Sequence, residues 1–164
     1  MCATFEYLFI NILIPQTTMA TSAANKAKIG LSGEFGTASE LCKRGFNPSI
    51  TMGTTKAVDI IITDDARTKI KRIEVKTTNK GKIVTSFFKK YYDKSIVHPD
   101  YWVLVYIDSA LVSHYYVLTH DEVGDIQMKV NDLDSWPTTA SGGVDNIPIK
   151  MLEEYENKWD KISI

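Results

Sequence analysis

Two short apolar runs separated by a polar break constrain this chain more than any other feature. Residues 58–63 (VDIIIT) and 70–75 (IKRIEV) are rich in β-branched side chains and flank Asp64, Asp65, Ala66 and Arg67. That is the pattern of an antiparallel hairpin closed by a short loop. Strand residues alternate sides, so Ile73 and Val75 face one way while Glu74 and Lys76 face the other. In the register that the loop implies, Asp59 near the start of the first strand comes across from the end of the second. One sheet face then carries two carboxylates and an ammonium.

Two readings of that trio stand beside each other. In one, a surface strand alternates its charge, and Glu74 and Lys76 form a weak solvated pair. In the other, Asp59 and Glu74 offer hard oxygen ligands to Mg²⁺, and Lys76 orients or helps deprotonate a water. The apolar neighbours decide between them. Asp59 interrupts Val58, Ile60, Ile61 and Ile62, and Glu74 lies between Ile73 and Val75, where an uncompensated carboxylate is costly to bury. A metal site accounts for both, and phosphodiester hydrolysis is the chemistry that it fits.

On these residues the segment resembles the core of the PD-(D/E)XK nuclease superfamily, the restriction-endonuclease-like fold. Asp59 matches the motif's Asp, and Glu74-Val75-Lys76 its (D/E)-x-K. The lead-in of Gly33-Glu34, Leu41, Arg44-Gly45-Phe46 and Gly53 is similar to that of the family's Holliday-junction resolvases, small intron-encoded homing endonucleases and some restriction enzymes. The resemblance runs from about Gly30 to about Leu118, and Val58 stands where the motif name has Pro. It implies an α/β fold in three layers, with a mixed sheet of about five strands flanked by helices. It also implies a Mg²⁺-dependent endonuclease acting on DNA, with Mn²⁺ as a substitute, and a homo-oligomer, dimer or tetramer. Asp59, Glu74 and the carbonyl of Val75 would be the metal ligands, Lys76 the catalytic lysine and Glu34 an accessory acid. A resolvase acting on branched DNA, a site-specific endonuclease and a binding or assembly protein on the same fold are the alternatives.

Net charge, −1 over 164 residues, conceals an uneven distribution. Residues 67–94 hold ten Lys or Arg against Glu74 and Asp93, whereas residues 95–164 hold twelve acids against four bases. A basic block beside the carboxylates, offset by an acidic C-terminal part, is the electrostatic footprint of a phosphate-binding face. Arg72, Lys80, Lys82, Lys89 and Lys90 are its candidate DNA contacts. Each lysine taken singly serves equally well to solvate a strand edge. Hydrophobic residues at 44% and charged residues at 24% describe an ordinary globular protein. Cys2 and Cys42 are too few for a disulfide framework, which points to a reducing, cytoplasmic setting, with Cys42 packed on a helix face.

Along the rest of the chain, residues 5–15 (FEYLFINILIP) are apolar but far short of the ~20 residues a membrane helix needs. No membrane association is expected. Residues 1–18 read as an uncertain extension ahead of a second start at Met19, and residues 19–164 as one domain. A helix is expected over residues 23–44, with Leu31, Phe35, Ala38 and Leu41 or Cys42 inward and Gly45 as its stop. Gly30, Gly33 and Gly36 leave one side of it bare for close approach of a backbone or a phosphate. Residues 46–52 read as a leading strand, and residues 77–82 as a loop beside the site.

Phe87 and Trp102 are expected in the core, with Tyr91 and Tyr92 free either to pack or to stack on bases. His98 is read as a turn residue or a general acid. Residues 101–107 and 113–118 form a second hairpin, and Thr119-His120-Asp121-Glu122 opens a helix through a capping box. His114 and His120 receive no catalytic role. Residues 136–145 read as a loop, and the tail from Pro148 as an amphipathic C-terminal helix.

Overall fold

The computed structural model describes residues 23–53, 58–93, 95–137 and 145–164. Its centre is the expected hairpin: β2 (Ile60–Thr63) pairs antiparallel with β3 (Ile70–Thr78), with Ile60 opposite Ile73 and Thr63 opposite Ile70. Asp64 closes the turn. Its Oδ1 accepts the backbone N–H groups of Thr68 and Lys69 at 2.7 and 2.9 Å, and its Oδ2 accepts the Thr68 hydroxyl. These bonds, led by the Lys69 amide, hold the Asp64 carboxyl below its ordinary range.

The full sheet runs β1-β2-β3-β5-β6, with β1 (Asn47–Ile50), β5 (Tyr101–Ile107) and β6 (Ser113–Thr119) joining the central pair. Only β3 and β5 run parallel, so the sheet is mixed. Asp100 fixes where β5 enters. It accepts Lys71 Nζ at 3.0 Å and the Arg72 N–H at 2.7 Å, and its own N–H donates to the Arg72 carbonyl. β5 is buried on both faces over its first five residues, as its unbroken apolar run foretells.

Helices cover both faces. Under one lies α1 (Ala23–Lys43), whose Ala38 and Leu41 pack with Ile60, Ile62, Ile73, Val75, Val103 and Val105. Over the other lie α2 (Phe87–Tyr91) and α3 (His120–Val130), which gather Phe87, Phe88, Tyr91, Trp102, Leu104, Leu118 and Val123. The capping box that opens α3 is present in full: Thr119 Oγ1 accepts the Glu122 N–H, and Glu122 Oε2 accepts the Thr119 N–H.

Four expectations are corrected. The inward stripe of α1 is Gly33, Glu34, Thr37, Ala38 and Leu41, while Leu31, Phe35 and Cys42 are exposed. Gly33 rotates the helix this way, because a Cβ there would sit 1.9 Å from Thr77 Oγ1, so only glycine lets α1 come this near to β3. The close approach is to a side chain of the sheet. Second, β3 continues through Thr78, and the turn that follows leads into β4 (Lys82–Val84), which pairs with β7 (Asn146–Pro148) in a small separate sheet.

Third, the tail forms no α-helix. It makes three 3₁₀ turns (Ile149–Met151, Glu153–Tyr155, Trp159–Lys161), broken at Asn157 with φ 55°. The Asn157 N–H donates to the Tyr115 carbonyl at 2.8 Å and Glu156 bridges to Tyr116, so the tail spends its backbone groups on the open edge of β6. Leu152 enters one core, and Trp159 and Ile162 the other. Fourth, Trp136, expected in a loose loop, packs edge-on against Phe87 and Phe88. The expectations for residues 1–18 and for Thr54 and Thr55 lie outside the described residues, as does most of the loop read over residues 136–145.

Candidate metal centre

The ladder between β2 and β3 ends at Ile60 opposite Ile73, one position short of Asp59 and Glu74. Beyond that point a side chain replaces the backbone. Asp59 Oδ2 accepts the Val75 N–H at 2.7 Å, while the Asp59 N–H still donates to the Ile73 carbonyl at 3.2 Å. Thr51 holds the strand from the other side. Its N–H donates to the Asp59 carbonyl at 2.9 Å, and its hydroxyl donates to the Val58 carbonyl. The N–H and C=O of one strand residue point to the same edge, so the Val75 carbonyl opens toward the Asp59 side as well.

Ile60 and Ile62 face α1, as do Ile73 and Val75. By alternation Asp59, Glu74 and Lys76 share the other face, the one covered by α2. Both carboxylates are buried, Asp59 to 5% and Glu74 to 4% exposure. Cations compensate Glu74: Lys76 Nζ lies 2.6 Å from Oε1, and Lys90 Nζ 3.4 Å from each oxygen. Tyr91 stands behind them. Its hydroxyl is buried without a hydrogen-bond partner among the described residues, and burial, with Glu74 and Asp59 adding their charge, pushes it far above the ordinary phenol range.

The remaining candidate residues are distributed around this centre. Glu34 is buried in the α1 layer beside Gly33, beneath the sheet face opposite to that of Glu74 and Lys76. Lys80 and Lys82 line a groove of about 500 Å³ at the C-terminal end of β3, together with Lys26, Ile29 and Asn79. The sequence offered no reason to single out Lys26; the fold brings it there by laying α1 along β3. Lys89 and Arg72 are exposed, Lys89 on α2 and Arg72 on the same strand face as Glu74. Lys90, a candidate DNA contact by sequence, lies on Glu74.

His98 is no turn ornament. It stacks on His120 with ring centroids 4.1 Å apart and lines a cavity of about 120 Å³ with Tyr91, Asp93, Ile96, Asp121 and Trp136. Burial and the neighbouring His98 push His120 down to about 4, and its Nδ1 accepts the Trp102 indole N–H at 3.2 Å. A neutral ring accepting from Trp102 is a packing element.

Among the described residues no three or more His, Cys, Asp or Glu side chains gather as a metal-holding cluster. The oxygens side by side here are the Asp59 and Glu74 carboxylates and, by strand geometry, the Val75 carbonyl. Such all-oxygen, partly filled sets suit an ion that keeps several waters, as Mg²⁺ does, so these residues fit that ion. No described helix is long and apolar enough to cross a membrane.

No family model matches this chain, and no curated protein matches it. Among solved structures it is similar to a bacterial homing endonuclease, I-Ssp6803I. Identity is 15%, the TM-score is 0.41, and the match covers 57% of this chain and 64% of that one. This chain thus spans somewhat less than two thirds of that enzyme's length. A superposition of that quality carries no weight for function, which rests on the geometry above.

Proposed function

We propose that this chain is a divalent-metal-dependent endonuclease that hydrolyses DNA phosphodiester bonds on a restriction-endonuclease-like core. One observation carries the reading. Asp59 gives a carboxylate oxygen to the amide of Val75, the residue between Glu74 and Lys76, so that two buried carboxylates and a lysine are fixed on one sheet face. An ordinary solvated strand has no reason to bury that arrangement.

Asp59, Glu74 and the Val75 carbonyl would hold Mg²⁺, or Mn²⁺ in its place. When bound, the ion supplies Lewis acidity at the phosphate and lowers the pKa of a water. Lys76, kept within 2.6 Å of Glu74, orients the attacking water and offsets the charge that develops on the phosphoryl oxygens. The water oxygen bonds to phosphorus as one bridging P–O bond breaks; the water gives a proton to solvent, and the departing oxygen takes one up. Glu34, beneath the opposite face of the sheet, has no step in this reaction. Lys80 and Lys82, with Lys26 across the groove, hold backbone phosphates past the C-terminal end of β3, while Arg72 and Lys89 extend the cationic surface.

The test is nicking of supercoiled plasmid with Mg²⁺ or Mn²⁺, with a four-way junction alongside, comparing wild type with Lys76→Ala. Cleavage by wild type alone is expected. Cleavage that persists in Lys76→Ala removes the assignment. Absent cleavage of both substrates by a folded, DNA-binding wild type would make the chain a binding module.

A further inference from the structure

Lys90 is the second ammonium on Glu74, and the strand motif does not account for it. It arrives on α2, a five-residue helix whose placement is set from far away in the chain. Asp145 accepts the Phe88 and Lys89 N–H groups at 2.8 and 3.1 Å, and its carbonyl accepts the Thr85 N–H at 2.8 Å. Gln127 of α3 donates to Thr85 Oγ1, which also accepts the Phe87 N–H. A helix too short to be stable alone is thereby bolted over the carboxylates.

The two lysines hold Glu74 differently. Lys76 makes a short bond to one oxygen, whereas Lys90 sits 3.4 Å from both and keeps 41% of its side chain exposed. Its Nζ lies 5.2 Å over the Tyr91 ring centroid. A long, shared contact from a half-exposed ammonium is the weaker of the two holds on Glu74. A second positive charge arriving at Glu74 repels Lys90, whose half-exposed ammonium has solvent on its open side.

We propose, resting on the nuclease reading above, that Lys90 is a catalytic residue which competes with the divalent cation for Glu74. Once Glu74 is given over to the cation, Lys90 moves outward and contacts a non-bridging oxygen of the scissile phosphate. It neutralises Glu74 in the empty site and the phosphate in the loaded one. Its role is electrostatic and transfers no proton.

The experiment uses the full chain with Lys90→Gln, which keeps length and polarity without charge, and Lys90→Arg, which keeps the charge. Mn²⁺ affinity is measured by titration calorimetry without DNA, and single-turnover plasmid nicking at saturating Mn²⁺. Lys90→Gln is expected to bind Mn²⁺ about two- to fivefold more tightly and to cleave about 10²-fold more slowly, with Lys90→Arg near wild type in both. Unchanged affinity or unchanged rate in Lys90→Gln, while wild type binds Mn²⁺ and nicks, overturns the Lys90 role alone. Mn²⁺ binding by wild type that survives Glu74→Gln overturns the nuclease site itself, and the Lys90 role with it.

Discussion

Asp59 does two jobs with one carboxylate: it completes the hydrogen bonding of β3 at Val75 and presents negative charge beside Glu74. Substitution separates them. Asp59→Asn keeps an oxygen acceptor for the Val75 N–H, so circular dichroism should show a folded protein, while plasmid nicking falls by at least about 10²-fold. A near-normal rate in this variant would exclude Asp59 from the chemistry. His114 makes a different residue-scale prediction. It bridges Glu156 at 2.9 Å and Asp108 at 3.3 Å, and these two carboxylates, Glu156 first, raise its pKa above the ordinary value of 6.5. A raised folded pKa means that the folded state binds the proton more tightly. The stability it contributes is full below about pH 6.5 and is lost as pH rises through the folded value. Chemical denaturation from pH 6 to 9 should show this decline in wild type and a flatter profile in His114→Asn.

At the scale of elements, α1 and α3 were legible in different degrees. The capping box of α3 is local chemistry within four residues and was readable directly; Thr119→Ala should cost about 1 kcal/mol in denaturant unfolding. For α1 the boundaries were readable and the buried face was not. Apolar spacing nominated Leu31 and Phe35, which are exposed, because the helix seats itself by the bare surface at Gly33 against Thr77. Gly33→Ala therefore tests the packing by its sign. Helix propensity alone predicts a gain of about 1 kcal/mol; the clash with Thr77 predicts a loss of about 1–3 kcal/mol, read as a lower melting temperature. The tail failed as a helix for a comparable reason: its helical spacing is real, but the open edge of β6 offers its backbone better partners.

Over the whole molecule, the charge asymmetry of the chain becomes partly an internal matter. Lys71 is taken up by Asp100, and Lys76 and Lys90 by Glu74, so the basic block contributes fewer outward charges than its sequence count. Lys80 and Lys82 are exposed at the groove that Lys26 completes. If they contact phosphates, replacing both with Ala should reduce the slope of log binding constant against log salt by up to about 2 for duplex DNA. An unchanged slope in a fluorescence anisotropy titration would move the nucleic-acid face elsewhere.

By itself the sequence determined what short-range alternation and local capping can encode. The central hairpin, the shared face of Asp59, Glu74 and Lys76, the buried strand β5 and the start of α3 all follow from neighbours a few residues apart. Tertiary structure decided what depends on distant partners. Asp145 caps α2 across 57 residues, Gly33 selects the seat of α1 through Thr77, and Lys90 reaches Glu74 only because α2 is held over the sheet. Alternation along a strand is a property of the chain. Which elements stack on that strand is settled by packing between segments whose separation in sequence leaves no periodic trace.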